Sequence, residues 1–182
     1  MRLTTASFAL ALSLGSLLCS LNAAAESKVE LDSRVAATLE RLYDQQPEAR
    51  ALGSKSVAIL VFPQLIKAGI GVGGEVGEGA LLANEQTVGY YRSTSVSVGL
   101  QLGVQSRSEV IMFMTETAYQ DFVNNDGWEA GVDGSIALVE FGAGQEFSTR
   151  TIRDPIIGFI FGNKGLMYNL SLEGAKFWKI NK

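Results

Sequence analysis

The chain of 182 residues contains no histidine and one cysteine, Cys19. Those two shortages remove a Ser-His-Asp triad, and, if the leader described next is cleaved, also a cysteine nucleophile, a disulfide and ordinary zinc ligation. Charge is modest at 19%, while 47% of the residues are hydrophobic, the profile of a globular chain and not a disordered one. Positive charge is short as well, with 15 Lys and Arg against 19 Asp and Glu. A protein held to nucleic acid by its overall charge is therefore not expected.

What is present begins with an export signal. Arg2 precedes an apolar run from Phe8 to Leu21, and Ala23, Ala24 and Ala25 supply the small residues of an A-x-A site. Cleavage is expected after Ala25, giving a leader over 1–25 and a single domain over 26–182 in the periplasm; the competing readings are an extracellular protein or an uncleaved anchor. Removing the leader takes away Arg2, so 15 basic residues become 14 against 19 acidic ones, a net charge of −5. Cys19 leaves with it, and Leu18 before it is not the small residue that lipid modification of a cysteine requires.

The next abundance is glycine. Gly69, Gly71, Gly73, Gly74, Gly77 and Gly79 crowd into eleven positions after the apolar run that ends at Pro63. Gly69, Gly71 and Gly74 satisfy G-x-G-x-x-G, but more glycine and two carboxylates, Glu75 and Glu78, follow where a helix N-terminus would have to face a phosphate. The segment reads instead as glycine-rich strands where the sheet bends and packs closely. Valine at Gly73 or Gly74 is expected to damage folding before it damages any ligand affinity.

Before the glycines, Val35, Leu39 and Leu42 recur at helical spacing over 32–46, behind Asp32 or Ser33 as caps, and predict an amphipathic helix docked by its leucine face. A strand is expected over 55–62 and a turn at Asn84. From Thr87 the period is two: Val96, Val98, Leu100, Leu102 and Val104 alternate with small polar residues and glycine, followed by a return strand over 109–114. Thr115 caps a short helix with Tyr119, Phe122 and Val123 inward, and a strand is read over 128–141. Residues 142–154 read as a loop or weak edge hairpin, and residues 162–165 as the turn between strands at 156–161 and 166–172. Phe177 and Trp178 are expected to pack over the sheet margin. Together these predict an α+β fold: a twisted, mainly antiparallel sheet, curled towards a barrel, with an N-terminal amphipathic helix and a short middle helix.

The carboxylates Glu75, Glu78, Glu129 and Asp133 are the residues from which acid/base or calcium chemistry would have to be built, and each reads more simply as surface or turn. No catalytic, cofactor-binding or metal-binding residue is assigned.

The run VFPQLIKAGIGVGGEVGEGALL, then GYYRSTSVSVGLQLGVQSRSEVIMFMTETAYQDF, GWEAGVDGSIAL and GLMYNLSLEGA, resembles the SYLF domain, also called the Ysc84-type domain, over residues 29–180. The resemblance implies a non-enzymatic lipid- or membrane-binding module of the bacterial exported type, whose partner is a phospholipid or membrane surface and not actin. The basic positions it brings forward are Lys67, Arg92 and Arg107. The alternative is an envelope structural or protein-interaction module without a lipid ligand.

Overall fold

A computed structural model describes residues 26–140, 153–164, 172 and 174–182. The leader, the loop expected at 142–154 for all but its last two residues, and nearly all of the strand expected at 166–172 lie outside them.

Ser27 opens the first helix, α1 (Lys28–Gln45), by accepting a hydrogen bond from the Glu30 amide at 3.2 Å. Leu31, Val35, Thr38 and Leu42 recur every three or four residues on its buried face. A second helix, α2 (Pro47–Gly53), starts directly after Gln46, with Pro47 at the first turn where no backbone donor is needed.

Two long strands follow, β1 (Ala58–Ala83) and β2 (Gln86–Phe113). Asn84 and Glu85, with φ of 50° and 62°, form the two-residue turn that joins them, and pairing is antiparallel from Ala83↔Gln86 to Ala58↔Phe113. The return strand expected over 109–114 is therefore not separate: residues 109–113 continue β2. Register shifts stand in place of a turn, between Phe62 and Leu65 and between Ile70 and Val72; next to the second, Gly103, opposite Gly69, takes a φ of 124°.

The ribbon folds over on itself at this second shift. A Cβ on Gly69 would fall against the Cα of Gly73 and the carbonyl of Val72. One on Gly77 would strike the Gln64 carbonyl and come within 2.7 Å of Leu65 Cδ2, and one on Gly79 would strike the Val61 carbonyl. The two arms of β1 thus touch backbone to backbone, which only glycine permits. Gly74 differs from the expectation, because a Cβ there meets only the Ser95 carbonyl, at 3.9 Å.

The rest of the chain closes around this ribbon. Thr115 caps α3 (Glu116–Asn124), whose Phe122 is buried. The strand expected over 128–141 is broken into β3 (Trp128–Glu129) and β4 (Ala137–Glu140). Gly131, with φ of 86°, and a hydrogen bond from the Glu129 amide to the Asp133 carboxylate at 2.7 Å make a turn between them. Then come β5 (Ile156–Lys164), which runs past the expected turn at Gly162, and β6 (Lys176–Ile180). Among the described residues the six strands order as β3-β6-β2-β5-β4 with β1 beside β2; all pairs are antiparallel except β4 with β5. The sheet is strongly curled into a half-barrel, as expected for the α+β class.

Two apolar clusters sandwich the base of the ribbon. Inside the curl, Phe62, Tyr91, Phe113, Phe122, Trp128 and Phe177 interlock, with ring centroids of Phe113 and Phe122 4.9 Å apart. Outside it, Leu31, Val35 and Leu42 of α1 cover Val61, Ala80, Tyr90, Val110 and Met112. Phe177 belongs to the core, whereas Trp178 lies over Gly127 at the margin.

Candidate functional site

Strand parity gives the ribbon two faces. Outward positions under α1, such as Ala80, Tyr90, Val110 and Met112, are buried. The same outward face continues to the folded end, beyond the reach of the helix, and there it stays apolar. Val96 is 80% exposed, Val104 69% and Val72 60%, with Ile66 and Val76 also exposed. Scattered exposed valines need no explanation, but a contiguous apolar face does.

The inward face at the same end is polar. Glu75, Ser93, Gln105, Arg107 and Glu109 are all buried. Arg107 donates to Glu75 at 2.7 Å, which ties the β2 side of one arm to the β1 side of the other, and lies 3.6 Å from Glu109. Arg107 Nε and both carboxylate oxygens of Glu109 have no hydrogen-bond partner among the described residues. Burial pushes the Glu109 carboxyl up to about 8, with the Glu75 charge adding to that rise and the Arg107 charge opposing it. The polarity of this end is therefore inverted relative to a water-soluble sheet: apolar side chains outside, charged ones within.

The outward face ends on an ion-paired shoulder. Arg34 of α1 bonds Glu26 at 2.9 Å and Gln64 at 3.1 Å, and Arg92 bonds Glu78 at 2.7 Å. Glu78 is also paired with Lys182. Partial burial raises the Glu78 pKa, but the hydrogen bonds and charges of Arg92 and Lys182 outweigh that and hold it below its usual value. A recess of about 340 Å³ lies here among Arg34, Gln64, Ile66, Val76 and Arg92. A second recess of about 840 Å³ lies between α1, α2 and the hairpin end, with Val35, Ala36, Leu39, Ile59 and Leu82 among its lining and Asp32, Glu40, Arg50 and Glu85 at its rim.

The three basic positions brought forward by sequence fall in three different settings. Lys67 is half-buried and shares the inward parity of Leu65 and Gly69, opposite Gln105. Arg92 is exposed on the shoulder. Arg107 is inside, engaged with Glu75 and Glu109. The four carboxylates weighed for chemistry are each engaged: Glu75 with Arg107, Glu78 with Arg92 and Lys182, Glu129 with Lys176 at 3.0 Å, and Asp133 in its turn. Among the described residues no group of three or more acidic side chains could hold a metal ion. Sequence reasoning passed over Glu109 and Arg34; the signal for Glu109 was a lone charge in the otherwise apolar run EVIMFM.

Residues 94–181 match the model of the Ysc84 family, described as "Las17-binding protein actin regulator". That match covers 88 of the 182 residues and makes this segment similar to the Ysc84-type (SYLF) domain. A curated relative, "Beta cell expansion factor A" of Aeromonas veronii, is 25% identical over 159 residues, which is 85% of this chain and 58% of the relative. The chain thus spans little more than half the length of that protein. The matched Ysc84 segment begins inside β2 at the folded end, so Val96, Val104, Arg107 and Glu109 all belong to it.

Proposed function

We propose that this protein is a Ysc84-type, non-enzymatic lipid- or membrane-binding protein of the bacterial cell envelope, exported to the periplasm with cleavage after Ala25. The observation that supports this reading is the outward apolar face at the folded end of the β1–β2 ribbon. Val72, Val96 and Val104 stand in solvent there while Arg107, Glu75 and Glu109 are packed inside. Placing charges within and valines outside costs stability in water, and the cost is recovered when the outer surface meets hydrocarbon. Among the described residues no helix is long and apolar enough to cross a membrane, so attachment of these residues to a bilayer would rest on surfaces of the sheet and helices.

The electrostatics support a surface that is not selected by bulk charge. The mature chain is acidic, and the basic groups next to the apolar face, Arg34, Arg92 and Lys182, are already partnered by Glu26 and Glu78. Attraction to anionic lipid is then a secondary contribution and the apolar face the primary one.

The test is co-sedimentation of the protein purified from the periplasm after export, with vesicles of zwitterionic lipid and of mixed zwitterionic and anionic lipid. Binding to both, with modest salt dependence, is the expected result. Failure to sediment with either would end the proposal, and recovery of a stable envelope protein partner in its absence would favour a protein-interaction module.

A further inference from the structure

We propose that the folded end of the β1–β2 ribbon inserts into one leaflet of a lipid bilayer, down to the ion-paired shoulder of Arg34, Arg92, Glu78 and Lys182. The inference rests on the membrane-binding reading above and names the surface and the depth.

Continuity of the outer face carries the argument. On β2, Tyr90, Val110 and Met112 point outward beneath α1 and are buried, whereas Val96 and Val104, on the same face, are bare. On β1, Ala80 is covered while Val76 and Val72 are not. Helix α1 therefore seals half of one apolar sheet face, and the other half needs a cover of similar character. The described outward positions there, Ile66, Ala68, Val72, Gly74, Val76, Thr94, Val96, Val104 and Ser106, include no charge. The sequence has no charged residue between Ser93 and Ser106. The charges of this region, Lys67 and Glu75, have inward parity.

Length fits the same occupant. Each arm from the shoulder to the fold spans five residues, 66–70 and 72–76, or about 16 Å at about 3.3 Å per residue, close to half of a hydrocarbon core of about 30 Å. A leaflet supplies that depth of apolar medium and then a polar layer, where the paired charges of the shoulder remain hydrated. Backbone exposure is limited in the same way, since β1 and β2 satisfy each other along the ribbon and the seam brings the two arms of β1 together.

The experiment places an environment-sensitive fluorophore on single cysteines, Val96→Cys, Val104→Cys and, as control, Val132→Cys, in the full chain carrying Cys19→Ser. Val132 is 73% exposed in the turn between β3 and β4, so it matches the others in type and accessibility but not in place. With vesicles, emission from positions 96 and 104 should shift to the blue, rise several-fold and be quenched by lipid-borne nitroxides. Position 132 should remain aqueous. Attachment through the leader alone would leave all three probes wet, and that outcome overturns insertion while leaving membrane binding standing. Absence of sedimentation removes both. A blue shift at 96 and 104 without vesicles, together with a dimeric mass, would also overturn the inference, because the cover would then be a second copy of the chain.

Discussion

The base of the β1–β2 ribbon and its folded end are built from the same two strands, yet they are stabilised in opposite ways. At the base, apolar residues fill both faces, with the aromatic cluster within and α1 without. At the folded end the inner face holds the Arg107–Glu75 ion pair and the Glu109 carboxyl, whose oxygens have no hydrogen-bond partner among the described residues, and the outer face holds bare valines. The comparison teaches that one ribbon presents two kinds of surface: at the base its outer face is covered by α1, and at the folded end the same face is bare.

The sharpest way to break this contrast is at the seam. Valine at Gly77 or Gly79 places carbons against the carbonyls of Gln64 and Val61 and should cost about 3 kcal/mol or more, enough to leave the domain unfolded. Valine at Gly74 should fold as the natural chain does, because it enters open space on the outer face. Urea titration of the three variants checks both halves.

Next in size is the buried ion pair. Arg107→Ala leaves the buried Glu75 carboxylate without its cation and should cost about 3–5 kcal/mol. Glu109 adds a pH dependence. Its pKa is raised on folding from 4.5 to about 8, so the folded state binds the proton more tightly. Its contribution to stability is full below pH 4.5 and is lost as pH rises through 8. Glu109→Gln should flatten that decline, so that the variant gains on the natural protein as pH rises; parallel stability curves from pH 5 to pH 8 would refute the assignment.

At the base, Tyr90 tests the helix cover. Its hydroxyl donates to Asp32 at 2.9 Å, and burial together with that bond pushes its pKa up to about 12. Tyr90→Phe should cost about 1–2 kcal/mol by thermal unfolding, since the Asp32 carboxylate keeps a bond from Thr87. The smallest effect is expected at the exposed shoulder, where Arg92→Ala should change stability by about 1 kcal/mol or less.

Much of the base was legible in sequence. The spacing of Val35, Leu39 and Leu42, the Thr115 cap and the turn at Asn84 are local signals, and local signals survive into the fold. The glycines were legible as a bend with close packing, but not individually. Gly77 and Gly79 touch residues more than ten positions earlier, while Gly74 touches almost nothing, and one-dimensional spacing does not carry that difference. Alternation from Val96 to Val104 identified two faces without saying which is inside. Pairing decided that, because β2 does not turn back at Glu109 but runs on under α1. The setting of Arg107 is hidden from the sequence for the same reason: its partner Glu75 lies 32 residues away and is brought near only by the fold in the ribbon.

The most direct test compares one face under its two covers. Val110→Asp, beneath α1, and the double variant Val96→Asp/Val104→Asp, on the bare half of the same face, should be measured for urea stability and vesicle binding side by side. The account predicts that Val110→Asp unfolds the domain, while the double variant keeps the natural urea midpoint and loses vesicle binding. A folded double variant that binds vesicles as well as the natural protein would contradict it.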